Sequence, residues 1–222
     1  MIEPTFLLRT IHETYQFRKT LDMVLSDLAR EQPESVAREI RAISSLSGAA
    51  KGVLGGFHYD MTQSLYDRLE SEIMSAEDLL IASIADDLID ERGLNKDQRI
   101  EIVNDLLGTI TKSAISQNQN PEIEALSIVA RDLHARVSKS PYPESFFSEY
   151  GTLAQVVIAQ INGDCSLELA EQTGGGTMAV SAVIPYCYNP ALPNKFLTAA
   201  RKFGGYFQVL DDLWDFEHDK KR

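Results

Sequence analysis

Two short acidic patterns, 125 positions apart, constrain this chain more than anything else in it. IADDLIDE holds Asp86, Asp87 and Asp90, and FGGYFQVLDDLWD holds Asp211, Asp212 and Asp215. Each sits late in a long, otherwise apolar stretch. In a helix the first and last acid of each pattern are neighbours on one face, and the middle one flanks them. Like charges at that spacing cost roughly 0.2–0.5 kcal/mol per pair. A divalent cation offsets the cost, and a set of carboxylates suits Mg2+, above all when a phosphate completes the shell. One such cluster in an acidic chain is commonly a solvated face; two with identical spacing are far more specific.

The rest of the chain reads as helix, because strand alternation is absent. Leu7, Leu8, Ile11, Tyr15, Leu21, Val24, Leu25 and Leu28 recur at helical spacing between Thr5 and Ala29. Pro33 interrupts, a shorter helix follows to about Ser45, and the Gly-, Ala- and Ser-rich run to Gly56 predicts a loop. A long helix is expected from about Tyr59 to Glu91, closed by Gly93 as its C-terminal cap. Asn95 with Gln98 forms a capping box for the next, which fades in the polar run Ser116 to Asn120. Asn120-Pro121 opens another, with proline at the first helical position. Beyond Ser140–Pro143, helices are expected over Glu144–Asn162 and Leu167–Tyr188, the latter carrying Gly174, Gly175 and Gly176. A turn at Asn189–Asn194 leads to the last helix. The expectation is an all-α, antiparallel bundle around a cavity, one domain spanning residues 1–222.

Composition narrows the partners. The net charge is -12, which argues against nucleic acid or an anionic membrane, since both require a basic face. Cys165 and Cys187 form neither a disulfide framework nor a metal-ligand spacing, as in a reduced cytoplasmic protein. The longest nearly apolar run, Met178 to Tyr188, is too short to span a bilayer, and a signal peptide is not expected.

The helix faces carry one more signal. On the side of Asp86 lie Ser75, Ala76, Leu79, Ala82 and Ser83, and beneath Asp211 and Asp215 lie Ala200, Gly204 and Gln208. Mostly small or polar residues under the acids predict a pocket with an anion at its mouth. Close approach of neighbouring helices explains the same residues and stays open.

Phe203, Gly204, Phe207, Gln208, Asp211, Asp212 and Asp215 together resemble the second aspartate-rich motif of the trans-polyprenyl diphosphate synthase family, in the class I isoprenoid (terpenoid) synthase superfamily. IADDLIDE resembles its first motif, and Gln172-Thr173 stands where the family carries Lys-Thr. The resemblance runs from about Tyr59 to the C-terminus. It implies a terpenoid-synthase bundle and Mg2+-dependent transfer of an allylic prenyl diphosphate to isopentenyl diphosphate. Up to three Mg2+ ions with the diphosphate would be held by Asp86, Asp90, Asp211 and Asp215, and Asp87 and Asp212 would act through water. Gln208, Thr173 and Gln172 would meet the diphosphate, and Ala82 and Leu79 the hydrocarbon chain. The resemblance also implies a homodimer joined through helices beside the first motif.

Its departures are uneven. The family's Arg-Arg-Gly is reduced to Arg92-Gly93, its Gly-Gly-Lys-Arg has no counterpart beyond Lys51, and Gln172 replaces a lysine. The chain ends at Arg222, so the family's last helices have no counterpart. The carboxylates are intact while the cations for isopentenyl diphosphate are mostly gone. This pattern opens three alternatives. One is chemistry on a single diphosphate, cyclase-like or a lyase, with Gly174–Gly176 breaking a helix at the pocket. Another is a non-catalytic or regulatory subunit that forms a heteromer with a catalytic homologue. The third is natural sequence beyond Arg222 that this chain does not include. A plain acidic helical scaffold would bind no diphosphate.

Overall fold

The computed structural model describes residues 19, 22–43, 65–91, 93–115, 120–163 and 166–219. Within those spans the side chains of Leu79, Asp87, Asp90, Asp211, Asp212 and Asp215, among others, lie outside the described set, and Lys51 and Arg92 lie outside it altogether. All regular structure among the described residues is helical. The elements are α1 (residues 22–30), α2 (Glu34–Ile43), α3 (Leu65–Glu91), α4 (Lys96–Lys112), α5 (Pro121–Lys139), α6 (Glu144–Ile161), α7 (Leu167–Val183), a 3-10 turn (Ile184–Cys187) and α8 (Lys195–Asp219). None of these helices is long and apolar enough to cross a membrane.

Local chemistry sets most boundaries. Gly93 takes a left-handed φ of 62°, which a side chain resists, and releases the chain from α3. Asn95 Oδ1 then accepts from Gln98 N, and Gln98 Oε1 accepts from Asn95 N, both at 3.0 Å. Asn120 caps α5 ahead of Pro121, accepting from Glu122 N at 3.0 Å. Ser166 caps α7 by accepting from Leu169 N at 3.2 Å.

Two boundaries differ from expectation. α4 stops at Lys112, short of Ser116, because Ser113 turns left-handed at φ 54° and donates its N–H to Thr109 O at 3.0 Å. α7 runs unbroken through its three glycines and stops at Val183, where Pro185 tightens the chain into the 3-10 turn. The first predicted helix is described only from residue 22, and the Ser45–Gly56 loop and the start at Tyr59 fall outside the described residues.

α5 is the inner helix. Ala125, Leu126, Val129, Ala130, Leu133 and Val137 are completely buried, each large side chain contributing roughly 1.5–3 kcal/mol by leaving water. α2, α3 and α4 pack around α5; α6 packs on α4 and α7, and α7 on α8. Leu25, Ile40, Met74, Leu80, Leu88 and Phe146 join the same core. Cys187 is buried in it, and burial pushes its thiol up to about 12, so it is an inert core residue. Phe203, Tyr206, Phe207, Leu210 and Leu213 form an exposed apolar stripe along α8.

Candidate active site

α3 carries Asp86 to the rim of a cavity of about 110 Å3. Helical spacing puts Asp78, Ala82, Ala85, Asp86 and Ile89 on its wall. α4 adds Val103 and Leu106, α6 adds Tyr150 and Leu153, and α7 adds Thr173 and Thr177. Asp86 is exposed, whereas the wall below is largely apolar. Ala82, expected beside a hydrocarbon chain, lines this cavity.

α7 connects the two acidic patterns. Asp78 of α3 is bonded to Ser181 of α7, while Ala82 and Asp86 share the cavity with Thr177 and Thr173, so α3 and α7 are antiparallel. On the other side, Gly205 stands opposite Glu171 and Arg201 opposite Gly175, so α7 and α8 are antiparallel too. α3 and α8 therefore run parallel, and both acidic patterns point toward the N-terminal end of α7. Asp86 is level with Thr173, and continuing the register at ~1.5 Å per residue puts Asp211 just beyond the Leu167 start of α7, about 12 Å further along. That end of α7 bears the positive pole of its backbone dipole, which favours negative charge nearby.

The small residues of α8 do not hollow out a pocket. A Cβ on Gly175 would stand 2.7 Å from the Arg201 carbonyl oxygen, one on Gly205 2.8 Å from that of Glu171, and one on Gly174 2.6 Å from the Gln208 Cβ. Gly204 likewise meets the backbone of Gly174. The glycines of both helices bring two backbones into contact. Close packing thus explains Gly204 and Gln208, while Asp86 on α3 stands over the apolar cavity. The same contact explains Gly174 and Gly175, while Gly176 faces Leu153 of α6, and none of the three breaks α7.

The structure separates one expected pair. Thr173 lines the cavity with Asp86, its Oγ1 donating to Leu169 O at 3.0 Å. Gln172, on the other face of α7, is exposed and lines a wider groove of about 810 Å3 between α6, α7 and α8. Glu149, Glu168, Glu171, Arg201 and Lys202 give that groove mixed charge, and Arg201 pairs with Glu149. Gln208 lies against Gly174, next to Thr173, so it is near the cavity without lining it.

Sequence reasoning missed the buried acids of α3. Asp78 lies eight residues, two turns, before Asp86 and lines the cavity, its carboxylate accepting from Ser181 Oγ. Burial raises its carboxyl to about 7 against the opposing hydrogen bond. The buried phenol of Tyr150, on the same wall, is pushed up by burial and by the Asp78 charge. The available signal was SAEDLLIA, where an acid interrupts an apolar face in step with Asp86 at i and i+8. Beside it, Glu77 is fully buried with neither oxygen hydrogen-bonded. Burial, then the neighbouring Asp132, hold its carboxyl well above the usual range. Arg136 stands 3.4 Å from Glu77, donates to Asp132 at 2.8 Å and to Glu70 at 3.0 Å, and ties α3 to α5.

Oxygen donors of this kind suit Mg2+, and Asp86 is exposed at the rim. Among the described residues no three His, Cys, Asp or Glu side chains are grouped to hold a metal. An ion at this end of the bundle would need Asp86 together with Asp90, Asp211 and Asp215. No protein-family model, curated protein or solved structure matches this chain.

Proposed function

We propose that the protein is a Mg2+-dependent enzyme acting on an allylic prenyl diphosphate, with transfer to isopentenyl diphosphate as the reaction that the sequence motifs imply. The observation that supports this is that the two helices bearing acidic patterns of one spacing run parallel on either side of α7, with Asp86 at the rim of a largely apolar cavity. Asp86, Asp90, Asp211 and Asp215 would hold Mg2+, and Asp87 and Asp212 would act through water. Bound Mg2+ neutralises diphosphate charge and makes it a leaving group. The chain's own part is to grip the anion at the α7 N-terminal end, with Thr173 and Gln208 close by, and to sheathe the hydrocarbon away from water beside Ala82.

A second reading draws support from the cavity's size. An apolar cavity of about 150 Å3 holds a benzene ring, so about 110 Å3 accommodates one short hydrocarbon chain rather than two substrates end to end. Chemistry on a single diphosphate follows naturally from that volume. Incubation with Mg2+ and allylic diphosphates of increasing length, with and without isopentenyl diphosphate, separates the two. Chain-elongated products only in the presence of isopentenyl diphosphate mean transfer. Diphosphate release that is indifferent to it means the single-substrate reaction. Neither release nor Mg2+-dependent binding of any allylic diphosphate overturns both.

A further inference from the structure

Asp78 has no part in the clamp just described, yet it is the most chemically specific feature of the cavity. It is 3% exposed, in a largely apolar wall that includes Ala82, Ile89, Leu106 and Val157 and also carries Thr173 and Thr177. A carboxyl in such surroundings costs several kcal/mol to ionise without compensation. Ser181 supplies one hydrogen bond from α7 and fixes the orientation of the group. The carboxyl lies eight residues below Asp86, ~12 Å along the α3 axis. That span leaves room for a diphosphate held at the rim and a short chain reaching down the cavity, its far end at Asp78.

We propose that Asp78 is a catalytic base, and that the chain eliminates diphosphate from a five-carbon, branched allylic diphosphate to release a conjugated diene. This rests on the single-diphosphate reading above. The allylic C–O bond breaks and its electron pair leaves with the diphosphate. A C–H bond on the methyl group next to the cationic carbon then breaks, and its pair becomes the new C=C bond. The proton goes to the carboxylate of Asp78 and from there to water once the product has left. Nothing is oxidised or reduced, and no co-reactant is consumed. Asp78 is a base set in a largely apolar wall and held by one hydrogen bond from Ser181. Its value near 7 suits general-base work at neutral pH. Tyr150 lines the same cavity.

The test uses the full chain with Mg2+ and dimethylallyl diphosphate, following diphosphate release in solution and the diene in the headspace. The expected result is release of both in equal amounts. In Asp78→Asn, diphosphate release persists but the diene fraction falls by about a hundredfold, the low end of what a positioned base contributes, and the five-carbon alcohols replace it. Ser181→Ala, a milder change, gives a smaller shift in the same direction. Circular dichroism confirms that each variant is folded. A merely structural Asp78 would lower both products together, and that outcome overturns the inference. So does a wild-type chain that releases diphosphate with alcohols only, which leaves the diphosphate reading standing. If no allylic diphosphate is bound or turned over in the presence of Mg2+, both readings fall together.

Discussion

Replacing Asp78 by asparagine isolates the energetic consequence of burying a carboxyl in the cavity wall. Asparagine keeps the size and still accepts from Ser181 Oγ, so packing is preserved. It never ionises. The carboxyl of Asp78 has an ordinary value of 3.8 and rises to about 7 in the fold, because burial disfavours its charged form. Between those values the folded chain holds a proton that the unfolded chain has lost. Stability therefore falls as pH rises through that window and levels off above about pH 7. At ~1.4 kcal/mol per unit, the full shift corresponds to at most about 4 kcal/mol. Asp78→Asn removes this term. The variant and wild type should differ little in pH dependence near pH 4, and the variant should be more stable by up to that amount near pH 8. With a urea slope of about 2 kcal/mol per molar, the midpoint gap widens by up to about 2 M between the two pH values. Glu77 also titrates high, but it is present in both chains and cancels in the difference. Urea unfolding followed by far-UV circular dichroism at both pH values measures the gap. Parallel midpoints at pH 4 and pH 8 would refute the claim that burial controls this carboxyl.

Gly175→Ala and Gly205→Ala force a Cβ against backbone oxygens of the opposing helix, which cannot rotate away. Overpacking of about 1–3 kcal/mol, less about 1 kcal/mol of helix propensity gained, leaves a net loss of up to about 2 kcal/mol. Gly151→Ala in α6 meets nothing within 4 Å and should gain up to about 1 kcal/mol, so thermal unfolding of the three variants tests the close approach of α7 and α8. Arg136→Met strips the buried Glu77 of its nearest cation and should cost about 3–5 kcal/mol at neutral pH; a denaturant midpoint unchanged from wild type counts against this. Asp86→Asn and Asp211→Asn should each abolish Mg2+-dependent diphosphate turnover while leaving the melting temperature near wild type, and turnover persisting in either variant removes that acid from the clamp. Light scattering at micromolar concentration should report a dimer; a monomer alone would oppose the homodimer that the motifs imply.

Much of the helical order is legible because its signals are local. Asn95 with Gln98, Asn120 before Pro121, and Gly93 announce their helix ends within four residues of the bonds they make. The stop of α4 at Lys112 was not legible, since no glycine or proline marks Ser113, which adopts a left-handed φ all the same. The acidic patterns were equally plain, and the structure runs their helices parallel toward one end of α7. Their surroundings were misjudged on α8. A glycine leaves the same blank on a helical projection whether a ligand or another backbone fills it. Only the partner helix distinguishes the two, and at Gly174 and Gly204 the partner is backbone.

Asp78 shows the same division. The chain itself specifies an acid in step with Asp86 on the face of an apolar helix, because periodicity is a property of one strand of sequence. Whether that acid would be solvated, paired or buried depends on what α6 and α7 bring against it. Residues 72 and 103 positions further along, Tyr150 and Ser181, decide it. The sequence alone determined that this protein is helical, where many helices end, and that two sets of carboxylates recur at one spacing. Tertiary structure decided that Asp86 stands over an apolar cavity, that Gly174 and Gly204 bring the backbones of α7 and α8 together, and that a carboxyl is walled into the cavity. Helix formation is governed by neighbours a few residues away, whereas the environment of a side chain is governed by whatever the fold packs against it.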